Sequence, residues 1–317
     1  MLVNILHHDN CFDGAASAAV FERFYRDVVN PQADFSLRGM THEARQEFPE
    51  ALFSGDENAI VDFKYASSDH LTWWFDHHHS AFLTPEDEQH FRRDRSGKKF
   101  YDTSFKSCTK FIATVGSQRF RFECPMLNDL IHWADIIDGA QYPDAQTAVK
   151  VAEPAQKLAA VIEANKDAAF LHQIIHQLAE EPLQQVATQK SVTDRYAPLA
   201  QRHLENIEII QKNSELDHDV VFFDLSDYDV DGYNKFIPYE LYPQANYSVS
   251  LLRTPRRMKI SVGWNPWSWK ARTHNLAKIC ERYGGGGHPV VAAISLNPDS
   301  LEGARSVARE IVETLKQ

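Results

Sequence analysis

Leu71-Thr72-Trp73-Trp74-Phe75-Asp76-His77-His78-His79 decides how the first half of this chain folds. The run up to Phe75 has the aromatic and β-branched composition of a strand, and it ends at an acid followed by three imidazoles. Trp73 and Trp74 are neighbours, so they cannot share one face of a strand, and one ring is expected in each layer beside it. Adjacent histidines cannot all point the same way either, so one or two of the three are expected to face a common site.

Upstream, three more short apolar runs, residues 2–6, 35–37 and 59–63, read as strands. The Ala-rich stretch 14–29, with Ala18, Phe21, Phe24, Tyr25 and Val28, reads as a helix packed on them. Such alternation predicts an α/β fold with a parallel sheet and helices on both faces, in which ligands gather beyond the carboxyl ends of the strands. Three of those ends carry histidine or aspartate. Residues 103–211 are mainly helical in pattern, with helices expected over 127–137, 145–164, 168–180 and 183–212, the last bent or broken at Pro198. The polar stretch 213–218 marks an expected division into domains 1–213 and 214–317. The second part reads as a smaller α/β domain, with strands near 220–225, 247–252, 258–262 and 290–296 and helices over 273–283 and 301–315.

With 317 residues the chain is long enough for two cores. No segment stays apolar for the roughly 18 residues that a membrane crossing needs, and the apolar start is broken at once by His7, His8 and Asp9, as in a first strand and unlike a signal peptide. Cys11, Cys108, Cys124 and Cys280 are spread without CxxC spacing, which indicates neither a zinc ribbon nor a disulfide framework and suits a reducing cytoplasm. A net charge of −11 disfavours a long polyanion and suits a small anionic substrate assisted by metal.

Hydrolysis of a phosphoester at a two-metal centre needs several carboxylates and imidazoles, one carboxylate shared by both ions, and room for water and substrate. Four segments supply them: His7-His8-Asp9-Asn10-Cys11-Phe12-Asp13-Gly14, Asp62 after an apolar strand, Asp76-His77-His78, and Ala134-Asp135-Ile136-Ile137-Asp138-Gly139. Near the other end, Gly284-Gly285-Gly286-Gly287-His288 has the composition of a loop whose backbone amides approach phosphate oxygens. Trp264, Trp267 and Trp269 lie close together and suit packing, or stacking on a base.

The order of these motifs resembles the DHH phosphoesterase superfamily with a DHHA1-type C-terminal domain, and the resemblance spans residues 7 to 288. It implies a metal-dependent hydrolase holding two manganese ions, with magnesium or cobalt as substitutes. It makes His8, Asp13, Asp62, His77 and Asp135 the metal ligands, with His7 and Cys11 as further candidates and Asp62 as the bridge. His78 would meet the scissile phosphate, with Asp76 beside it in the catalytic pair, and Gly285, Gly286, Gly287 and His288 would bind substrate. The implied substrate is a small nucleotide or short oligonucleotide. Alternatives are a RecJ-like single-strand exonuclease, a pyrophosphatase or polyphosphatase, and a non-catalytic nucleotide sensor; a homodimer is compatible with all of them. Two departures stand out. Cys11 occupies a position usually held by aspartate, and Ser261-Val262-Gly263-Trp264 lacks the usual arginine, leaving Arg253, Arg256, Arg257 and Arg272 as replacements.

Overall fold

The computed structural model describes residues 1–43 and 45–317. In chain order the elements are β1 (Leu2–His8), α1 (Phe12–Phe24), β2 (Asp34–Met40), β3 (Glu57–Val61), β4 (Trp73–Asp76), α2 (Pro85–Arg93), β5 (Lys99–Tyr101), α3 (Cys108–Phe120), α4 (Asn128–Asp138), α5 (Ala145–Lys150), α6 (Pro154–Glu163), α7 (Ala168–Glu180), α8 (Leu183–Ala187) and α9 (Lys190–Asn213). They continue with β6 (Ser214–Asp217), β7 (Val220–Asp224), α10 (Ile237–Leu241), β8 (Tyr247–Arg253), β9 (Met258–Trp264), α11 (Leu276–Glu281), β10 (Gly286–His288), β11 (Val291–Leu296) and α12 (Leu301–Leu315). The chain forms two compact units, Met1–Gln141 with Ala152–Ala197, and Tyr142–Val151 with Pro198–Gln317.

The first unit is built on a five-stranded, all-parallel sheet in the order β2-β1-β3-β4-β5. The strand order turns back between β1 and β3, which opens a crevice at their carboxyl ends. The expected layering of the tryptophans holds. Trp73 packs on Phe21 and Phe24 of α1 on one face, and Trp74 packs on Tyr65, Phe82 and Phe91 on the other. Small side chains let α1 lie close to the sheet: Ala15, Ala16, Ala18 and Ala19 are all fully buried.

The second unit carries a mixed six-stranded sheet, β10-β11-β9-β8-β7-β6, in which only β7 and β8 run parallel. Its core joins Val249, Leu251, Ile260 and Val262 of the sheet to Ala304, Ala308, Ile311 and Leu315 of α12. These α12 positions recur at the three- and four-residue spacing of one helix face.

Several boundaries differ from expectation, each for a local reason. The helix expected over 145–164 is two, α5 and α6, because Val151 takes a left-handed conformation (φ 47°) and Pro154 opens a new helix. The stretch expected as 183–212 is likewise two helices, whereas Pro198 lies inside α9 without ending it; one missing amide is tolerated in a helix of 24 residues. The short strands β5, β6 and β10 carry too little apolar pattern to be read from sequence.

At the amino end of the sheet, Glu57 accepts hydrogen bonds from Tyr25 Oη (3.0 Å), Trp73 Nε1 (2.8 Å) and Lys98 Nζ (2.9 Å). Burial alone would raise its carboxyl, but the bonds from Lys98 and Trp73 outweigh it and hold the group below its ordinary value. Glu57→Gln is therefore expected to cost about 1–2 kcal/mol at neutral pH. Because the folded-state carboxyl is depressed, its contribution is present above the unfolded value of about 4.3 and is lost as pH falls through the folded value. Urea unfolding of both proteins should show a gap at pH 7 that closes toward pH 3.

Candidate metal centre

Every strand end at the crevice contributes a polar group, and the pleat decides which. His7 and His8 close β1, and their side chains leave on opposite faces. His8 turns toward Asp62, with Nδ1 3.4 Å from Oδ2, while buried His7 turns toward His172 of α7. Burial pushes the His7 imidazole down to about 4.

Gly14 makes the close fit of α1 against the end of β1 possible. A Cβ there would lie 2.2 Å from the backbone oxygen of His8 and 2.8 Å from its Cβ. In the first turn of α1, buried Asp13 accepts from the backbone amides of Cys108 (2.6 Å) and Thr109 (3.1 Å) at the start of α3.

Asp62 follows β3 in the left-handed region, φ 55°, a conformation that aspartate tolerates better than most residues. The turn aims its carboxylate across the crevice. Oδ2 faces His8, and Oδ1 lies 3.4 Å from His77 Nε2 and 3.8 Å from His78 Nδ1. At the last residue of β4, Asp76 Oδ1 accepts from the backbone amides of His77 (2.8 Å) and His78 (3.2 Å) and from His78 Nδ1 (2.7 Å). The second ring is held by a carbonyl: His77 Nδ1 lies 3.2 Å from Phe105 O, which leaves Nε2 facing Asp62, Asp13 (3.7 Å) and Asp138 (3.6 Å).

Three groups of potential metal donors result, each with its atoms within 4.8 Å of one another: His8, Cys11 and Asp62; Asp62, His77 and His78; and Asp13, His77 and Asp138. Asp135, implied as a ligand by resemblance, is in none of them and accepts from Ser107 Oγ at 3.2 Å. Asp138, one turn further along α4, is the acid of that segment that joins a donor group, a residue that sequence reasoning set behind Asp135. Its three-residue offset on a helix puts it on nearly the same face as Asp135, and sequence alone does not say which turn reaches His77.

The charges are mutually frustrated. Burial, then Asp62 and Asp138, raise Asp13 well above the usual carboxylate range, and burial with Asp62 pushes Asp138 up to about 6. For Asp62 burial acts upward too, but His77 and His8 outweigh it and hold the carboxyl below its ordinary value. Burial opposes the charged form of His77, but Asp62 and Asp13 overcome it and push the imidazole up to about 10. Burial, Asp62 and Asp13 raise the Cys11 thiol.

Five of the seven buried side-chain polar atoms without a hydrogen-bond partner among the described residues lie here: His8 Nδ1, both carboxylate oxygens of Asp62, Asp76 Oδ2 and His77 Nε2. The 3.4 Å contacts of Asp62 are ion-pair distances that lack hydrogen-bond alignment. Unsatisfied buried oxygen and imidazole donors around one carboxylate fit a divalent cation, which would displace the protons that the crowded acids otherwise hold.

In the second unit, Gly286–His288 is the edge strand β10, paired with Val291–Ala293. A Cβ at Gly285 would lie 2.4 Å from Ala293 O, and at Gly287 (φ 146°) 2.5 Å from Val291 O, whereas Gly286 faces open space. His288 is exposed. Strand register separates the candidate arginines. Arg253 pairs with Met258, and Arg257 reaches Ser295 at the end of the sheet where Leu296 meets Met258. The glycine hairpin lies at the other end, where Val291 meets Gly263, and there Arg272 Nη1 donates to Pro289 O at 3.2 Å.

Searches against family models and against curated proteins give no match. Solved structures do. A pGpG-specific phosphodiesterase, PggH from Vibrio cholerae, aligns over 100% of this chain and 99% of its own with a TM-score of 0.73 at 17% identity. The DHH domain of a member of a family of ribosomal proteins aligns over 99% of this chain and 87% of its own, with a TM-score of 0.59 at 13% identity. RecJ from Thermus thermophilus, in complex with Mn2+, aligns over 99% of this chain and 52% of its own, with a TM-score of 0.55 at 12% identity. The chain thus spans about half of that RecJ. At these identities the likeness is one of fold, and the fold is that of DHH-domain proteins.

Gly14→Ala is expected to force His8 and α1 apart. The obstructing atom is backbone and cannot rotate away, so a loss of about 2–3 kcal/mol follows. Urea unfolding checks this; an unchanged midpoint would contradict the packing described.

Proposed function

We propose that this chain is a metal-dependent phosphoesterase that hydrolyses small nucleotides or short oligonucleotides, with manganese as its working ion. The observation that carries this reading is Asp62, a buried carboxylate whose two unpartnered oxygens face different donor groups, as a carboxylate shared by two ions must. His8 and Cys11 would complete one side, and His77, Asp13 and Asp138 the other. Bound there, divalent ions would polarise a phosphoryl oxygen, lower the pKa of a water and neutralise the charge that develops on the phosphoryl group. Nitrogen and oxygen donors suit manganese, while a thiolate at Cys11 would shift that side toward softer ions.

The chain's own residues do the positioning. Asp76 fixes His78 through Nδ1, so that Nε2 is the ring atom left to meet a nonbridging phosphoryl oxygen. Phe105 O fixes His77 in the same way for the metal side. In the second unit, Gly286, with no side chain and open space at its Cα, exposed His288 and the Arg272 guanidinium would meet the phosphate of a bound substrate. The net charge of −11 favours a short substrate over a long strand. The similar structures named above include a phosphodiesterase for pGpG and a RecJ bound to manganese.

A manganese-supplemented screen across short RNA, short DNA, cyclic dinucleotides, phosphoadenosine phosphate and pyrophosphate is expected to show turnover concentrated on the shortest nucleotides. Preference for long single strands would favour the exonuclease, release from pyrophosphate alone the pyrophosphatase, and a complete blank would defeat the proposal. Within the site, Asp138→Asn should weaken manganese binding by about tenfold or more, a loss of about 1.4 kcal/mol, and Asp135→Asn should leave it near wild type. Equilibrium dialysis separates the two, and an Asp138→Asn variant that binds manganese as the wild type does would remove Asp138 from the donor set.

A further inference from the structure

Trp264, Trp267 and Trp269 sit in one short segment of the second unit, and only two have a packing role. Trp264 Nε1 donates to Asn246 Oδ1 at 3.1 Å. Trp267 Nε1 donates to Tyr142 O at 2.9 Å, and its ring packs edge-on against Phe236 at 5.2 Å. Trp269 is 83% exposed, the highest value for a large apolar side chain among the described residues. Leaving an indole in water forgoes the stabilisation that burial of so large an apolar surface provides.

The backbone beneath that ring is not loose. Asn265 is buried and ties the turn down through Nδ2 to Ala245 O (2.8 Å) and through Oδ1 to Trp267 N (3.0 Å). Ser268 Oγ accepts from Lys270 N at 3.1 Å, and Lys270 Nζ is paired with Asp219 at 3.0 Å while lying 5.6 Å from the Trp269 ring centroid. An exposed ring on a pinned turn is pre-organised to meet a flat partner with little ordering cost.

Position identifies that partner. The turn leaves β9 at Trp264, and Trp264 N donates to Val290 O at 2.9 Å, so it emerges at the sheet end occupied by the glycine hairpin. Three residues after Trp269 comes Arg272, whose Nη1 donates to His274 O (2.6 Å) and Pro289 O (3.2 Å). Nε and Nη2 of Arg272 have no protein partner among the described residues. A guanidinium with free donors, three residues along the chain from an exposed indole, suits a ligand that is anionic at one end and planar at the other.

We infer that Trp269 is a stacking platform for a nucleobase, and that it makes the second unit select nucleotides over base-free phosphoesters. This rests on the reading of the chain as a phosphoesterase for small nucleotides. Each base stacked on an aromatic side chain gives a sequence-tolerant gain, and its loss by alanine substitution weakens binding by roughly 5- to 100-fold.

The test separates binding from turnover. Equilibrium dialysis of the full chain with the dinucleotide pApA, in the presence of chelator so that no hydrolysis occurs, should give a dissociation constant that rises roughly 5- to 100-fold in Trp269→Ala and stays within about threefold in Trp269→Phe. Binding of inorganic pyrophosphate should not change in either variant. Saturable pApA binding that Trp269→Ala leaves intact would overturn the inference, as would an equal loss for pyrophosphate or no pApA binding by the unaltered chain. Loss of pApA binding in Trp269→Ala, with no hydrolysis by the metal-loaded wild type, would instead leave the stacking platform standing and remove the phosphoesterase reading.

Discussion

A buried carboxylate ringed by imidazoles, yet without an aligned hydrogen bond, is the constraint around which the first unit is organised. Asp62 is 1% exposed, sits in a left-handed backbone conformation and leaves both oxygens without a hydrogen bond. Removing such a group from water without a hydrogen bond costs several kcal/mol. Nearby Asp13 and Asp138 add charge of the same sign, and two imidazoles offset only part of it. A left-handed backbone and a buried carboxylate without an aligned hydrogen bond, set among donor groups, fit a divalent cation.

The rest of the unit holds those donors in place. The parallel sheet brings the ends of β1, β3 and β4 together at the reversal of strand order, and its pleat sends His8 into the crevice and His7 away from it. Gly14 lets α1 begin against the backbone of His8, which carries Asp13 inward to the amides that open α3. The aromatic rings on both faces of β4 fix the strand from which Asp76, His77 and His78 emerge. In the second unit a comparable economy governs the glycines: Gly285 and Gly287 are required by the close approach of β11, which frees Gly286 to face solvent.

Much of this was legible in the sequence because motif and element coincide. The ends of β1, β3 and β4 announced themselves as apolar runs broken by acid or imidazole, and the tryptophan pair revealed a strand covered on both sides. Helix 168–180 and helix 301–315 were readable to the residue from their periodicity. That Asp138 and not Asp135 lies beside His77 was hidden, since it depends on how far α4 projects along its own axis, a tertiary property. The break between α5 and α6 was hidden for a different reason: it turns on a valine in a left-handed conformation, which no propensity predicts. Register, likewise invisible in sequence, sends Arg253 and Arg257 to the far end of the sheet, while a hydrogen bond to Pro289 O ties Arg272 to the glycine hairpin.

The central claim is that Asp62 joins two donor groups and therefore two ions. Elemental analysis of the wild-type chain and of Asp62→Ala after manganese reconstitution and removal of free metal, with circular dichroism to establish that both are folded, tests it directly. The account predicts two ions per wild-type chain and the loss of both, or retention of one weakly held ion, in the folded variant. Two tightly held ions in Asp62→Ala, or none in the wild type, would contradict it.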